Sequence, residues 1–514
     1  MQYSRRQFIG GALGSVAAWP ALAHAARQNA EAGRVFRHGV ASGDPLTDRV
    51  ILWTRATPPA SRSATGTTPV RWRIAADEGL AQVVANGTVE TSAARDFTVK
   101  VDAGNLRPGR TYYYTFDADG EQSPVGRTRT LPERDVARLR VASVSCANYP
   151  AGYFNVYRCL ANRRDLDAVI HLGDYVYEFA NGVYGDGAAS GRMPLPAGEA
   201  STLADYRMRY ATYRSDVDLQ AAHQTHPFIA VWDDHEVAND WWRGGAVNHG
   251  PGKGEWAVRQ AAGVQAYLEW MPVREAPAGG FHLYRSFRFG RLADLLMLDT
   301  RSFRDKQAAP RDIATLADPS RTLMGKAQED WFSAGLRGSQ REGTTWRLVG
   351  QQTMFSPLAP PGVTVQNTDV WDGYPAARGR VLDLLQQDRI SNVAILTGDI
   401  HSSWALDVPR SPLNGYTART GAGSLAVELV TPAISSPPFF ASREMREATA
   451  VLQLFAPHLK FLEGESRGYV LLDVTQERLQ SEWYHVPGVD ARSAQESRGA
   501  AFVCERGSSR LTRI

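Results

Sequence analysis

The 514-residue sequence predicts a layered α/β domain preceded by a small β-sandwich. Three observations carry that prediction. Residues 34–132 alternate apolar and polar side chains with a period of two, the pattern of half-buried strands. From residue 138 to residue 514 apolar runs alternate with helical stretches instead, which is the grammar of α/β layers. Within that second part, one apolar run after another ends in Asp, His, Cys or Gln, as expected at the carboxyl edge of a sheet.

The first 25 residues read as an export signal. Ser4-Arg5-Arg6-Gln7-Phe8-Ile9 is a twin-arginine pattern, followed by a weakly apolar run from Ile9 to Ala23 containing Gly10, Gly11 and Gly14. Ala21-Leu22-Ala23 and Ala23-His24-Ala25 both suit a small-residue cleavage site. The run is too short and too rich in glycine to span a bilayer. A periplasmic or secreted protein is expected, with the twin-arginine machinery as partner of the precursor and no membrane span.

Apolar content of 43% and charged content of 22% are ordinary for a globular chain. With 57 basic against 54 acidic residues the net charge is +3, so nothing points to a nucleic-acid-binding module or a membrane surface. Three cysteines are too few for a disulfide scaffold. One bridge, Cys159 to Cys504, is expected, leaving Cys146 as the odd thiol.

In the first domain Val70, Trp72 and Ile74 alternate with Arg71 and Arg73, and Val99 and Val101 with Thr98 and Lys100. Thr111 to Ala118 is aromatic-rich and ends at the turn pair Asp119-Gly120. Leu106-Arg-Pro-Gly-Arg-Thr-Tyr112 resembles the corner of an immunoglobulin/fibronectin-like sandwich, with Tyr112 as the corner tyrosine. No ligand-type residues cluster here, so a packing or lid role is expected. Ser42-Gly43-Asp44-Pro45 and Ile51–Arg55 are expected near the interface with the next domain.

In the second domain strands are expected at Leu139–Ser145, Ala168–Leu172, Phe228–Trp232, Ala293–Leu298, Trp346–Val349, Val393–Thr397, Leu425–Thr431 and Tyr469–Val474. Helices are expected at Tyr153–Arg163, Leu203–Tyr213 and Gly254–Trp270, and Pro-rich loops at Leu358–Gly362 and Ser435–Phe440. Six strands then end in polar groups: Cys146; Asp174 and Tyr177; Asp233, Asp234, His235, Glu236 and Asn239; Asp299 and Arg301; Gln351 and Gln352; Asp399 and His401. Together on one sheet edge they suggest a metal site.

Asp174, Asp234 and Asp399 are hard oxygen donors suited to Ca²⁺, Mg²⁺ or Mn²⁺. Cys146, Tyr177 and His401 are a different set. Free tyrosine ionises near ~10, so a phenolate ligand at neutral pH requires a strongly Lewis-acidic ion, and Fe³⁺ suits phenolate with thiolate better than Zn²⁺ does. Two unlike sub-sites bridged by Asp174 are expected, with ions roughly 3.5–4 Å apart to clamp a phosphoryl group.

Gly-Asp-x-x-Tyr, Asp-His-Glu and a late Gly-x-x-His resemble the calcineurin-like metallophosphoesterases, purple acid phosphatases included. Their usual Asp-x-His block is replaced here by Ser145-Cys146, Gly-Asn-His-Glu by Trp232-Asp-Asp-His-Glu236, and Gly-His-x-His by Gly398-Asp-Ile-His401. With Leu298-Asp-Thr-Arg301 and the twin-arginine start, these departures resemble the PhoD-type alkaline phosphatases and phosphodiesterases over nearly the whole mature chain. The resemblance implies a metallophosphoesterase sandwich for the catalytic fold. It implies Fe³⁺ on Cys146, Asp174, Tyr177 and His401, and Ca²⁺ on Asp174, Asp234 and Asp399, with Asp233 as a further ligand or neighbour. His235 and Asn239 would face the phosphate, and Arg301 would either clamp it or pair with Asp299. Gln352 stands where relatives carry another histidine. His171 reads as a core histidine; His223, His226 and His249 lack ligand spacing, and Trp241 and Trp242 fit a cleft wall or the core.

The expected activity is hydrolysis of phosphoric esters outside the cytoplasm, metal-bound hydroxide attacking phosphorus. Phospholipase D-like cleavage of lipid or wall diesters is the alternative, and a binding protein with a relict site a third reading.

Overall fold

The computed structural model describes residues 35–58, 66–275, 282–358, 367–438, 452 and 456–514. The export signal 1–25 lies outside the described residues, as do 359–362 and 439–440 of the Pro-rich loops.

Two mixed sheets pack face to face with helices on their outer surfaces, a helix–sheet–sheet–helix sandwich. The larger sheet runs, in spatial order, Thr512–Arg513, Ser497–Glu505, Arg478–Val486, Arg467–Val474, Leu139–Val144, Ala168–His171, Pro227–Ala230, Val40–Gly43, Val50–Arg55 and Thr98–Ala103. The second runs Arg285–Phe289, Ala293–Met297, Trp346–Gln351, Val393–Thr397, Ser424–Val430, Ser403–Pro409 and Leu459–Glu463. The ligand-bearing strands are parallel within each sheet and almost wholly buried, which is why they read as largely apolar runs. One core joins the inner faces, Val144 and Ile170 from the first sheet with Leu348 and Leu396 from the second. Helices Gly325–Arg341 and Pro375–Gln387 close the outer face of the second sheet over Phe332, Leu336, Leu382 and Leu385.

The expectation of a single sheet edge is corrected. Three of the six polar strand ends belong to each sheet. The two edges meet where Ser145 bridges Ala433 and Ser143 Oγ lies 2.9 Å from Thr431 Oγ1. Period and composition identify strands but carry no information on which sheet a strand joins.

The N-terminal strands do not stand apart from this body. Ser42 and Gly43 pair in parallel with Pro227 and Phe228, so Val40–Gly43, Val50–Arg55 and Thr98–Ala103 extend the larger sheet. A five-stranded sheet built on Thr68–Ala75 and Thr111–Ala118 faces them across a core of Val50, Leu52, Ile74, Val99 and Phe116. The Tyr112 hydroxyl accepts a hydrogen bond from the Arg107 backbone at 2.8 Å. A Cβ at Gly43 would stand 2.3 Å from the Pro272 carbonyl, so only glycine permits this approach. Asp44, at φ 42°, receives Arg285 and the Arg274 backbone and ties the joint.

All three cysteines are buried free thiols, so the expected Cys159–Cys504 bridge is absent. Cys159 faces the Gln495 carbonyl at 3.8 Å and Cys504 the Ser508 carbonyl at 3.3 Å, each packed as a small apolar side chain.

Candidate metal centre

The strand ends turn sharply. Cys146, Asp174, Asp399 and His401 have φ of 62°, 55°, 63° and 52°, a conformation costly for residues with a side chain. Gly173 makes room: a Cβ there would lie 2.4 Å from the Asp233 Cβ and 2.6 Å from its backbone nitrogen. Glu236 holds the two loops in register, its buried carboxylate accepting the backbone N–H groups of Tyr175 (2.6 Å), Asp233 (2.8 Å) and Asp174 (3.2 Å).

Ligand atoms of Cys146, Asp174 and His401 lie within 4.8 Å of one another. Tyr177 Oη joins them, 2.8 Å from Asp174 Oδ2 and 3.1 Å from His401 Nε2. His401 Nδ1 is 2.9 Å from the Pro437 carbonyl and 2.9 Å from the Tyr184 hydroxyl, which leaves Nε2 turned to the cluster. Donor atoms of Asp233, Asp234 and Asp399 form a second group within the same limit, and Asp174 groups with Asp234 and His235 as well. Asp174 thus reaches both sets. Asp233 Oδ2 and Asp234 Oδ1 are buried without a hydrogen bond, so each keeps lone pairs available to a cation.

The electrostatics favour cations. Burial, then the neighbouring Asp174, pushes the Cys146 thiol and the Tyr177 phenol well above their ordinary values. Burial raises the Asp174 carboxyl and brings Asp399 up to about 7. Burial thus disfavours the ionised form of each of these donors, and a bound cation would favour it. The donor set and the unpartnered carboxylate oxygens fit a pair of metal ions, one site rich in soft and anionic donors and one of oxygen only.

His235 sits beside both sets. Its Nδ1 is 2.7 Å from Glu178 Oε2, and its ring stacks on Tyr177 with centroids 4.2 Å apart. Burial works against a charge on His235, yet Asp234, Glu178 and Asp174 outweigh it and favour the imidazolium. Glu178 is itself fixed by the Asn239 backbone and the Asn248 amide, both at 2.7 Å. The Asn239 side chain is half-buried and makes no hydrogen bond among the described residues.

Arg301 is fully buried. It gives hydrogen bonds to Asp233 (2.5 Å) and Asp369 (2.8 Å) and comes within 3.9 Å of Asp234 and 3.8 Å of Asp399. Asp299 does not pair with its guanidinium but caps the Arg301 and Ser302 backbones. Gln352 is no stand-in ligand; it accepts the Thr300 N–H and hydroxyl and donates to the Leu298 carbonyl, bracing the turn before Arg301. His171, His223 and His226 are buried and bonded to Tyr157, Tyr175 and the Leu160 carbonyl, as core histidines. His249 accompanies Gly254, away from the cluster. Trp241 is core, donating to the Asp233 carbonyl, and Trp242 is half-buried.

Sequence reasoning assigned no role to Glu178, Glu236, Asp369, Tyr184 and Ser436. The two glutamates stand inside motifs already singled out. The other three lie on loops with no periodicity to mark them.

Residues 141–483 match the PhoD-like phosphatase family and residues 21–132 its N-terminal domain. The chain is 37% identical over 499 residues to alkaline phosphatase D of Bacillus subtilis (strain 168), covering 93% of this chain and 82% of that protein. The solved structure of PhoD superposes with a TM-score of 0.84 at 35% identity, over 93% of this chain and 92% of that one.

Proposed function

The chain belongs to the PhoD-like phosphatase family and is a phosphoric ester hydrolase, and from that premise we propose that it cleaves phosphate mono- and diesters outside the cytoplasm at a centre of two unlike cations. The reading rests on one observation: the donor atoms of Cys146, Asp174, Tyr177 and His401 converge beside a second set of carboxylates that shares Asp174. Fe³⁺ would be held by Cys146, Asp174, Tyr177 and His401, and Ca²⁺ by Asp174, Asp234 and Asp399 with Asp233 alongside. When bound, such ions supply Lewis acidity toward phosphoryl oxygens and lower the pKa of a nucleophilic water.

The chain's own groups do the rest. Glu178 takes the Nδ1 hydrogen of His235, so Nε2 is the working nitrogen, offering a hydrogen bond or proton to an ester oxygen. The Asn239 amide, without a hydrogen-bond partner among the described residues, supplies a second donor. Arg301 orients Asp233 and lends positive charge to the carboxylate cluster. Residues 34–132 act as an immunoglobulin/fibronectin-like buttress to the catalytic domain 138–514, and residues 1–25 direct twin-arginine export to the periplasm or the medium. No helix of the described residues is long and apolar enough to cross a membrane.

Elemental analysis with the visible spectrum tests the reading, alongside assays with p-nitrophenyl phosphate and its bis ester. Iron with calcium, a phenolate–iron absorption band and turnover of both esters are expected. Active protein containing neither metal would overturn it.

A further inference from the structure

On the hydrolase reading, on which this inference rests, the cation that meets the distal part of the substrate is not Arg301. Arg301 and Arg304 are fully buried and committed to Asp233 and Asp369. Arg467, at the start of the strand Arg467–Val474, is different. It is half-buried, and among the described residues its guanidinium is bonded only to main-chain oxygens, Nε to Ser436 (3.2 Å) and Nη1 to Glu465 (3.4 Å). Among the described residues it forms no ion pair, and Nη2 has no hydrogen-bond partner. A guanidinium keeps its charge at any working pH, so an uncommitted fork near a site is a place for an anion.

Its position is tied to the centre through one residue. Ser436, whose carbonyl accepts Arg467, has its Oγ 2.8 Å from Tyr177 Oη and 2.9 Å from the Cys146 carbonyl. The next residue, Pro437, accepts His401 Nδ1 at 2.9 Å. Arg467 is close enough for its charge to act on His401 and Tyr184, while the carboxylates of Asp490 and Glu463 lie near enough to act on it without forming an ion pair. The half-buried Tyr184 ring lies against Tyr177, Phe179 and His401, with centroids 5.7, 6.0 and 6.0 Å away. Arg467 therefore stands one hydrogen-bonded layer outside the metal-ligand set, with an aromatic face beside it. That is too far out for the reacting phosphoryl group and suited to what is attached to it.

We propose that Arg467, beside Tyr184, forms a subsite for a second anionic group on the ester, so that the preferred substrates carry a carboxylate or further phosphate next to the scissile phosphate. The subsite confers specificity and takes no part in bond breaking.

Glycerol 3-phosphate and 3-phosphoglycerate differ only in whether the distal group is a neutral alcohol or a carboxylate. The metal-loaded wild type is expected to favour 3-phosphoglycerate in kcat/KM. Arg467→Gln should cut that preference at least tenfold, mainly through KM, with metal content intact, and Arg467→Lys should restore part of it. A wild type without the preference, or an Arg467→Gln that weakens both substrates equally, overturns the proposal. If neither ester is hydrolysed, the hydrolase reading has failed and calorimetry decides the subsite. Tighter binding of 3-phosphoglycerate than of glycerol 3-phosphate, lost in Arg467→Gln, upholds it, and equal binding overturns it.

Discussion

Glu178 and His235 form a buried carboxylate–imidazole pair, Oε2 to Nδ1 at 2.7 Å, at the rim of the metal-ligand cluster. The pair joins two loops from neighbouring parallel strands. Its carboxylate end is locked by the Asn239 backbone and Asn248, so the imidazole has one orientation.

That rigidity makes Glu178 testable. Glu178→Gln keeps the size of the side chain but removes its charge and part of its acceptor capacity. A positioned acid–base group contributes about 10²–10⁴-fold in rate. The variant is expected to lose roughly 10²-fold in kcat while retaining its metals, as measured by steady-state kinetics and elemental analysis. A variant with wild-type kcat would remove His235 from the chemistry.

The two donor sets predict separable metals. Cys146, Tyr177 and His401 offer sulfur, phenolate and imidazole, whereas Asp233, Asp234 and Asp399 offer only oxygen. A calcium-selective chelator should therefore abolish activity and leave the iron colour, with activity restored by added Ca²⁺. Cys146→Ala should lose both colour and activity. Loss of colour with the chelator would mean that the two sets do not hold different ions.

How far the sequence discloses this site depends on the kind of residue. Cys146, Asp174, Asp234 and Asp399 follow buried strands directly, so apolar runs locate them and a parallel arrangement gathers their ends. Glu178 and Glu236 sit in the same motifs, but their roles depend on which backbone N–H groups the opposite loop presents, and only the fold supplies that. Asp369, Ser436 and Arg467 come from distant loops and a strand start, joined to the centre by single hydrogen bonds that no local pattern encodes. The same holds for the joint with the N-terminal strands. Ser42-Gly43-Asp44-Pro45 is legible as a stretch near the interface, but the parallel pairing of Ser42 and Gly43 with Pro227 and Phe228 is a long-range contact.

Gly173 offers a stability test of how closely the two ligand loops approach. Its φ of 113° is open to glycine and strained for other residues, and an added methyl would meet Asp233 at 2.4 Å. Strain and overpacking together amount to about 3 kcal/mol. Gly173→Ala should lower the urea midpoint accordingly and reduce metal content, because Asp233 and Asp174 are displaced together. A variant with an unchanged midpoint would show that the loops can part without cost.

His226 predicts how the fold responds to acid, independently of the metals. It is fully buried, and Nε2 donates to the Leu160 carbonyl at 2.9 Å, so Nδ1 is the bare nitrogen. Burial is the main cause that lowers its pKa to about 4, with Arg127 and Arg164 adding to it. The unfolded chain takes up a proton near ~6.5 and the native state does not until about pH 4. Stability from this group is therefore complete above pH 6.5 and declines as pH falls toward 4, by up to about 3 kcal/mol. In His226→Gln the amide can make the same bond without titrating. Urea unfolding at pH 7.5 and pH 5 should show a smaller acid loss in the variant than in the wild type. Other buried histidines, His171 among them with its pKa brought down to about 3, will keep some acid sensitivity in both proteins. Equal losses in the two proteins would mean that His226 is already protonated in the native state or reached by water.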